Sequence, residues 1–421
     1  MPDLSTRLRS VPWGALAGCV EAILPAVGEV LSGRAAERVL DRLLRNHRGW
    51  TAYERAVAAE AVFGVGLWRR RLAFQLGFSA PLEAGPRLLV FSLLRDLAGL
   101  PATEARRLSG LDPAVPVPDS RLPTELADRC SLPDWLAATF QRELGGEAES
   151  FADSLNVPGP ICLRANLALT SVAALAERLR AEGVSTVPGR HATTCLVVQD
   201  ARPNLLALEC FRSGLLEVQD EGSQLLAALV EAGPGDSVLD LCAGAGGKTL
   251  ALSVALGGEG RLHAFDTDGA KLERLRQRSS RARADNVSVH AGGLPDGLAV
   301  DRVLVDAPCS ELGALRRGPD LRWRIDPAGF SALPPLQLAL LETAVGHLRP
   351  GGRLVYATCT LRQEENQDVA LELLRRHPDL ELARPGGGWL AEDFVRDGFF
   401  VCLPHRHGTD GFFGAAFRRR N

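Results

Sequence analysis

The sequence predicts an α/β protein in which a Rossmann-like C-terminal domain follows a small α/β subdomain and an all-helical N-terminal domain. Two observations carry this expectation. Apolar positions recur at helical spacing through the first third of the chain. From Leu215 onward, strand-like runs alternate with helical segments, the pattern of βα units that builds a doubly wound parallel sheet. At 421 residues, 46% hydrophobic and 24% charged, the chain is long enough for two or three domains with separate cores. Disordered, collagenous and disulfide-dense classes are excluded.

Taken in order, residues from about Gly14 to Phe140 read as helical, most clearly AAERVLDRLLRN (Ala35–Asn46) and YERAVAAEAVFGVGLWRRRL (Tyr53–Leu72). The Arg69–Arg71 cluster is expected to be a solvated helix end. LDPAVPVPDSRLP (Leu111–Pro123) is a loop between helices, and a boundary is expected near Gly145–Gly159. ICLRANLAL then reads as a strand leading into the helix SVAALAERLRAEG, followed by strand-like LVVQD (Leu196–Asp200) and LLALE (Leu205–Glu209). The expected domains are therefore 1–145, 146–214 and 215–421. In the last of these the strands are Ser237–Ala243, Arg261–Thr267, Val287–Ala291, Arg302–Pro308 and Arg353–Cys359.

A net charge of −3 rules out a global basic field, so any nucleic-acid contact must come from a local patch. No run approaches a membrane span; the best candidate, Ala15–Leu31, contains Glu21 and Glu29. MPDLSTRLRS is followed by no signal-peptide core, so a cytoplasmic protein is expected. Nine cysteines with no CxxC pair and no Cys/His ligand spacing point away from zinc and disulfides and toward a reducing compartment. No metal is expected. With 46 Arg but two Lys and two Tyr, the positions of Lys248 and Tyr356 stand out.

The first strand of the C-terminal domain runs into Cys242-Ala243-Gly244-Ala245-Gly246-Gly247-Lys248-Thr249 and a helix, a turn that aims backbone N–H groups at an anionic ligand. A P-loop needs Gly at 242 and a dinucleotide fingerprint needs Gly or Ala at 249; Cys and Thr stand there. S-adenosylmethionine is the remaining common user of this topology. Asp266, at the end of the second strand and twenty residues after Gly246, suits ribose hydroxyls, with a helix N-cap as the structural alternative.

The fourth strand ends in Asp306-Ala-Pro-Cys309-Ser310 and the fifth in Tyr356-Ala-Thr-Cys359-Thr360. In the order 3-2-1-4-5 these strands are neighbours about 4.8 Å apart, with their C-terminal ends at the ligand crevice. Two thiols beside a methyl donor suit methylation of pyrimidine carbon 5, where a thiolate adding to carbon 6 makes carbon 5 nucleophilic. One cysteine can be the nucleophile and the other can assist release, while Asp306 protonates or hydrogen-bonds the ring edge. The other cysteines, Cys19, Cys130, Cys162, Cys195, Cys210 and Cys402, read as buried small hydrophobes, and Cys242 as part of the cofactor turn.

DLCAGAGGKT, DAPCSELGALRRGPDLRWR and YATCTLRQEEN resemble three motifs of the RNA (cytosine-5)-methyltransferases, the Sun/RsmB and NOL/NSUN superfamily. LRANLALTSVAALAERLRAEG, EVQDEGSQLLAALV and DGFFGAAFRR extend the resemblance over about Leu163–Arg420, and the helical N-terminal part resembles a NusB-like RNA-binding domain. The resemblance implies that Cys359 is the nucleophile and that Cys309 promotes product release. It also implies that Cys242, Ala243, Gly244, Ala245, Gly246, Gly247, Lys248, Asp266 and Asp306 contact S-adenosylmethionine. It implies RNA, ribosomal RNA above all, as partner, and neither DNA nor a membrane. The chain departs from the family at Gly244-Ala245-Gly246-Gly247 (usually Ala-Pro-Gly-Gly), at the turn His290-Ala291-Gly292-Gly293 (usually with an Asp) and at Glu311, where the family often has Gly.

Arg316, Arg317, Arg322 and Arg324 around Trp323 suit RNA backbone and stacking contacts or, alternatively, a salt-bridged loop. His405 and His407 read as exposed loop histidines. Two other functions fit parts of the sequence: a non-catalytic RNA-binding ribosome-assembly factor with weakened cofactor binding, and a methyltransferase with a non-RNA substrate. The second leaves both motif cysteines idle.

Overall fold

The computed structural model describes residues 4–199, 203–386 and 388–421, which divide into two compact units. The first comprises residues up to Pro158 together with Leu315–Pro327; the second comprises Gly159–Ala314 and Ala328–Asn421. The expected boundary at 145/146 is thus displaced to 158/159. Helix Ala148–Leu155 buries Phe151, Ala152 and Leu155, and Phe151 packs edge-on against Phe140 at 4.9 Å, which ties it to the helical unit.

The helical unit is built around helix Ala52–Gln75, which starts at a Thr51–Glu54 capping box and buries Val57, Ala61, Val65, Trp68 and Leu72. Helices Val20–Leu31, Ala36–Asn46 and Pro81–Ser92 pack their apolar stripes into the same core. Residues 111–123 carry no helix or strand. The Arg69–Arg71 cluster is not a solvated end, because the helix continues past it to Gln75. Arg69 is buried and donates to the carbonyls of Gly66, Val30 and Leu31, closing the end of helix Val20–Leu31. Arg70 pairs with Asp128 and Asp134, each at 2.6 Å, and Arg71 donates to the Arg129 carbonyl.

The Arg-rich segment after the fourth strand is likewise built into this unit. Arg322 is fully buried and donates to Asn156 Oδ1 at 2.7 Å and to the Leu155 carbonyl at 3.2 Å. Asp320 accepts from the Ala36 N–H and pairs with Arg324, while the Arg69 guanidinium lies 5.1 Å from the Trp323 ring. Arg322 is therefore unable to reach a nucleic-acid backbone.

The second unit contains two sheets. The small one is antiparallel in the order β2-β3-β1-β4, with β1 Cys162–Ala165, β2 Thr186–Pro188, β3 Cys195–Val198 and β4 Leu216–Val218. β3 is the expected LVVQD strand, whose Asp200 lies outside the described residues. LLALE is not a strand: Leu205–Ala207 is a 3-10 turn and Glu209–Arg212 a short helix. Pro203 and Asn204 start the turn, and the Glu182 carboxylate accepts from the Glu209 and Cys210 N–H groups at the helix start. β4 pairs with β1, so the sheet runs past the expected boundary at 214/215.

The large sheet begins with parallel strands β5 Ser237–Asp240, β6 Arg261–Phe265, β7 Val287–His290, β8 Val300–Asp306 and β9 Leu348–Thr358. Their order is β7-β6-β5-β8-β9, the doubly wound arrangement. Beyond β9 the sheet turns antiparallel with β10 Leu380–Ala383, β11 Val395–Arg396, β12 Phe399–Cys402 and β13 Phe412–Arg419, β13 lying directly against β9. Simple βα alternation to the end of the chain is corrected here: DGFFGAAFRR forms a strand whose Phe413, Ala415 and Phe417 enter the core. No helix among the described residues is long and apolar enough to cross a membrane.

Arg322→Ala removes two buried hydrogen bonds and leaves a void, so we expect a loss of about 2–4 kcal/mol in urea unfolding of the full chain. An unchanged midpoint would contradict the structural role of Arg322.

Candidate active site

The site lies at the C-terminal ends of the central strands. β5 ends at Asp240, and the turn through Gly247 opens helix Gly247–Ala255, whose N-terminus has no side-chain cap. Gly246 has φ +89°, and a Cβ there would lie 2.2 Å from Leu275 Cδ1, so only glycine turns the chain at this point. The small sheet supports the turn, since buried Arg164 of β1 donates to the Gly247 carbonyl at 3.0 Å. Glu217 of β4 pairs with Arg278 and Arg281, and Arg278 also donates to the Ala245 carbonyl at 2.7 Å.

Asp266 Oδ2 accepts the Gly244 N–H at 2.9 Å and Oδ1 the Asp268 N–H at 2.8 Å. It is not the helix cap: Asp268 caps helix Gly269–Ala282. Each Asp266 oxygen keeps a second lone pair for a ribose hydroxyl. The backbone beside Gly244 is open, since a Cβ there would meet nothing within 4 Å. An uncapped helix N-terminus for a carboxylate and a preset acid for a ribose fit S-adenosylmethionine. Cys242 is half-buried, and the residues on either side of it anchor the turn through Leu241 N–H to Leu304 O and Ala243 N–H to Phe265 O. At the end of β7, His290 Nε2 lies 3.0 Å from His263 Nδ1 of β6, and burial lowers the pKa of both rings.

Lys248 Nζ donates to Asp306 Oδ2 at 2.6 Å. Burial is the largest single influence and acts against the ammonium, but the Asp306 charge, the Asp306 hydrogen bond and the other nearby acidic groups together outweigh it, so Lys248 stays protonated with a raised pKa. Asp240 is buried, accepts from Thr249 Oγ1 at 2.7 Å and leaves Oδ1 without a hydrogen-bond partner. Its pKa is raised to about 7, by burial first and by Asp306 after the opposing Thr249 hydrogen bond.

The parallel register pairs Asp306 of β8 with Ala357 of β9, and the Ala307 N–H donates to the Ala357 carbonyl. This carries Cys309 and Cys359 to one rim. Their sulfurs lie 3.4 Å apart, and the Cys359 N–H points at Cys309 Sγ, also at 3.4 Å. The Cys359 pKa is raised well above the ordinary thiol range by the hydrogen bond with Cys309, then burial, then the charges of Asp306 and Glu311. Glu311 has φ +58°, a left-handed conformation that glycine adopts without strain. Gly313 closes the loop by donating to the Cys359 carbonyl at 2.9 Å; a Cβ there would lie 2.3 Å from Gly411 O.

Asp306, Cys309, Cys359 and Lys248 thus form one cluster. The sequence reading overlooked the roles of Asp240 and of Glu365, Asn366 and Gln337, whose polar groups surround the cysteine loops. The first three lie inside quoted motifs, but Gln337 carries no sequence signal. His407 is buried, not exposed: its ring accepts the Leu403 N–H at 2.9 Å and stacks on Phe394 at 4.2 Å. No group of three or more His, Cys, Asp or Glu among the described residues is placed to hold a metal. A cavity of about 1020 Å³ opens elsewhere in this unit, lined by residues such as Arg164, Gly257 and Asn286 and by none of the cluster.

Two outcomes follow from the charges. Glu311→Gln removes a negative charge acting on Cys359, so peptide-resolved alkylation of Cys359 should reach half-maximal rate at lower pH than in the parent; a shift to higher pH would contradict the assignment. The raised Asp240 pKa means its neutral form contributes stability below the unfolded-state value, lost as pH rises through about 7. Asp240→Asn should therefore reduce the fall in Tm between about pH 5 and pH 8 in the cofactor-free protein.

The chain is similar to known methyltransferases. Residues 227–418 match the family described as 16S rRNA methyltransferase RsmB/F, and residues 132–204 match the ferredoxin-like domain of RsmF/B-like methyltransferases. The ribosomal RNA small subunit methyltransferase B of Thermus thermophilus is 33% identical over 96% of this chain and 99% of its own. A probable ribosomal RNA small subunit methyltransferase B of Synechocystis is 31% identical over 84% and 82%. The crystal structure of a methyltransferase homolog protein from Pyrococcus horikoshii, 27% identical, covers 71% of this chain and 100% of its own with a TM-score of 0.61. The cofactor is S-adenosylmethionine, and the chain belongs to the RsmB/F family of methyltransferases.

Proposed function

We propose that the protein methylates carbon 5 of a cytosine in RNA, with ribosomal RNA as the substrate class, through a covalent adduct between Cys359 and carbon 6 of the base. The observation that carries the reading is the pair of thiols 3.4 Å apart on adjacent strand ends, beside Asp306 and Lys248. The names of the Thermus and Synechocystis relatives favour ribosomal RNA, and the helical unit is proposed to contribute to RNA binding.

Cys242–Lys248 and Asp266 hold the cofactor, which supplies an electrophilic methyl group when bound. The raised Cys359 pKa keeps the resting thiol protonated, and as sulfur attacks carbon 6 its proton passes by way of the Asp306 carboxylate to the ring edge. The new sulfur–carbon 6 bond pushes the ring π electrons toward carbon 5, which then takes the methyl group. Asp306, fixed by Lys248, meets the ring edge and stabilises the charge that develops there. Cys309, after giving its own thiol proton to solvent, removes the carbon 5 proton; those electrons re-form the double bond and expel Cys359 as a thiolate, which recovers a proton from the ring edge by way of Asp306. The base must leave any stack to reach this rim, so a flipped or single-stranded cytidine is required.

Labelled methyl from S-adenosylmethionine, presented with RNA lacking the modification, should appear in 5-methylcytidine and drop to background in Cys359→Ala. Label in another nucleoside, or undiminished label in the variant, would refute the reading. Cys309→Ala should accumulate a covalent protein–RNA adduct, seen as a heat-stable gel shift that Cys359→Ala abolishes.

A further inference from the structure

Glu365 is fully buried in the 3-10 turn Gln363–Glu365, and four donors surround its carboxylate. Oε2 accepts the Ser310 N–H at 2.9 Å and Gln337 Nε2 at 3.1 Å; Oε1 accepts the Ser310 hydroxyl at 2.6 Å and the Arg362 guanidinium at 3.1 Å. Ser310 Oγ also lies 2.7 Å from Thr360 Oγ1. Because the single Ser310 proton goes to the carboxylate, the Thr360 hydroxyl is the donor in that contact. Ser310 directly follows Cys309, and Thr360 directly follows Cys359.

Neighbouring groups extend the same network. The Gln337 amide also donates to the carbonyl of Pro308, the residue before Cys309, at 3.0 Å. Asn366 donates to the Thr360 carbonyl at 3.0 Å and accepts from the Thr358 hydroxyl at 2.6 Å, so it grips both sides of Cys359. The Tyr356 hydroxyl donates to the Glu365 carbonyl, which fixes the turn to β9.

We propose that Glu365 is a positioning residue for the cysteine pair: its buried carboxylate joins the residue after Cys309 to the residue after Cys359 and so holds the two sulfurs at contact distance. The proposal rests on the reading of Cys309 and Cys359 as the reacting pair. A carboxylate is acceptor-only and offers about four lone-pair sites, matching four donors. Glutamine has the same size but a single acceptor oxygen, and its amide hydrogens would face Ser310 or Gln337 donors. The Arg362 charge offsets the buried carboxylate, and its guanidinium lies 4.8 Å from the Phe330 ring.

The test measures thiol proximity directly, in the full chain without RNA. Diamide oxidises two nearby thiols to a disulfide, its nitrogen–nitrogen double bond taking up the two electrons and two protons. The Cys309–Cys359 crosslink, followed by peptide mass spectrometry, should form at least about tenfold more slowly in Glu365→Gln and a few-fold more slowly in Ser310→Ala. The affinity for S-adenosylmethionine should be unchanged in both, and kcat for methyl transfer should fall about tenfold in Glu365→Gln with KM near the parent value. A residue that only added stability would lower Tm and leave the crosslinking rate of the folded protein unaltered. Parent-rate crosslinking in folded Glu365→Gln overturns the proposal; if that variant does not fold, parent-rate crosslinking in both Ser310→Ala and Gln337→Ala overturns it. Slower crosslinking in a protein whose parent form makes no 5-methylcytidine would sustain the positioning role and refute the functional reading instead.

Discussion

The parallel pairing of β8 with β9 is the constraint on which the rest of the site depends. Its register sets Asp306 opposite Ala357 and so brings two cysteines, fifty positions apart in the chain, to a sulfur–sulfur distance of 3.4 Å. A shift by one residue would turn the alternate side chains of a strand to the opposite face. That register is held on one side by β5 and on the other by β13, whose apolar residues fill the core behind Tyr356. The antiparallel end of the sheet is therefore the support for the strand that carries Cys359.

Around this ladder the molecule gathers charges in a buried place. Lys248, Asp240, Asp306 and Cys359 act on one another, and the thiol is held protonated by the same surroundings that hold Lys248 charged. A low-dielectric setting makes each of these interactions stronger than it is in water. Arg164 and Glu217 bring the small sheet into the same framework, because they fix the turn and the helix that follow β5 and β6. The small subdomain thus forms part of the structural wall of the cofactor turn.

Arginine has a second use in this chain. In a sequence with 46 Arg and two Lys, basic clusters near aromatics invite a nucleic-acid reading. Here Arg69 and Arg322 are buried and spend their donors on carbonyls and Asn156. The planar, five-donor guanidinium suits that task, closing helix ends and satisfying isolated acceptors that an ammonium could not span. Sequence spacing does not distinguish an Arg that caps a helix from one that meets a phosphate, because both keep the same neighbours along the chain.

What the sequence by itself determined was everything governed by short-range pattern: the five parallel strands and their order, the glycine turn after β5, Asp266 at the end of β6, and the two cysteines at neighbouring strand ends. These follow from side-chain periodicity and from the connection rules of doubly wound sheets. Tertiary structure decided what depends on partners distant in the chain. LLALE has strand composition but meets the Glu182 carboxylate and begins a helix instead. His407 looked exposed until Phe394 and the Leu403 N–H enclosed it. Glu365 lay in a motif with no task assigned, and only the fold surrounds it with Ser310, Gln337 and Arg362. The physical reason is common to all three: periodicity reports which face of an element is buried, whereas hydrogen-bond satisfaction depends on which donors and acceptors the fold brings within about 3 Å of one another.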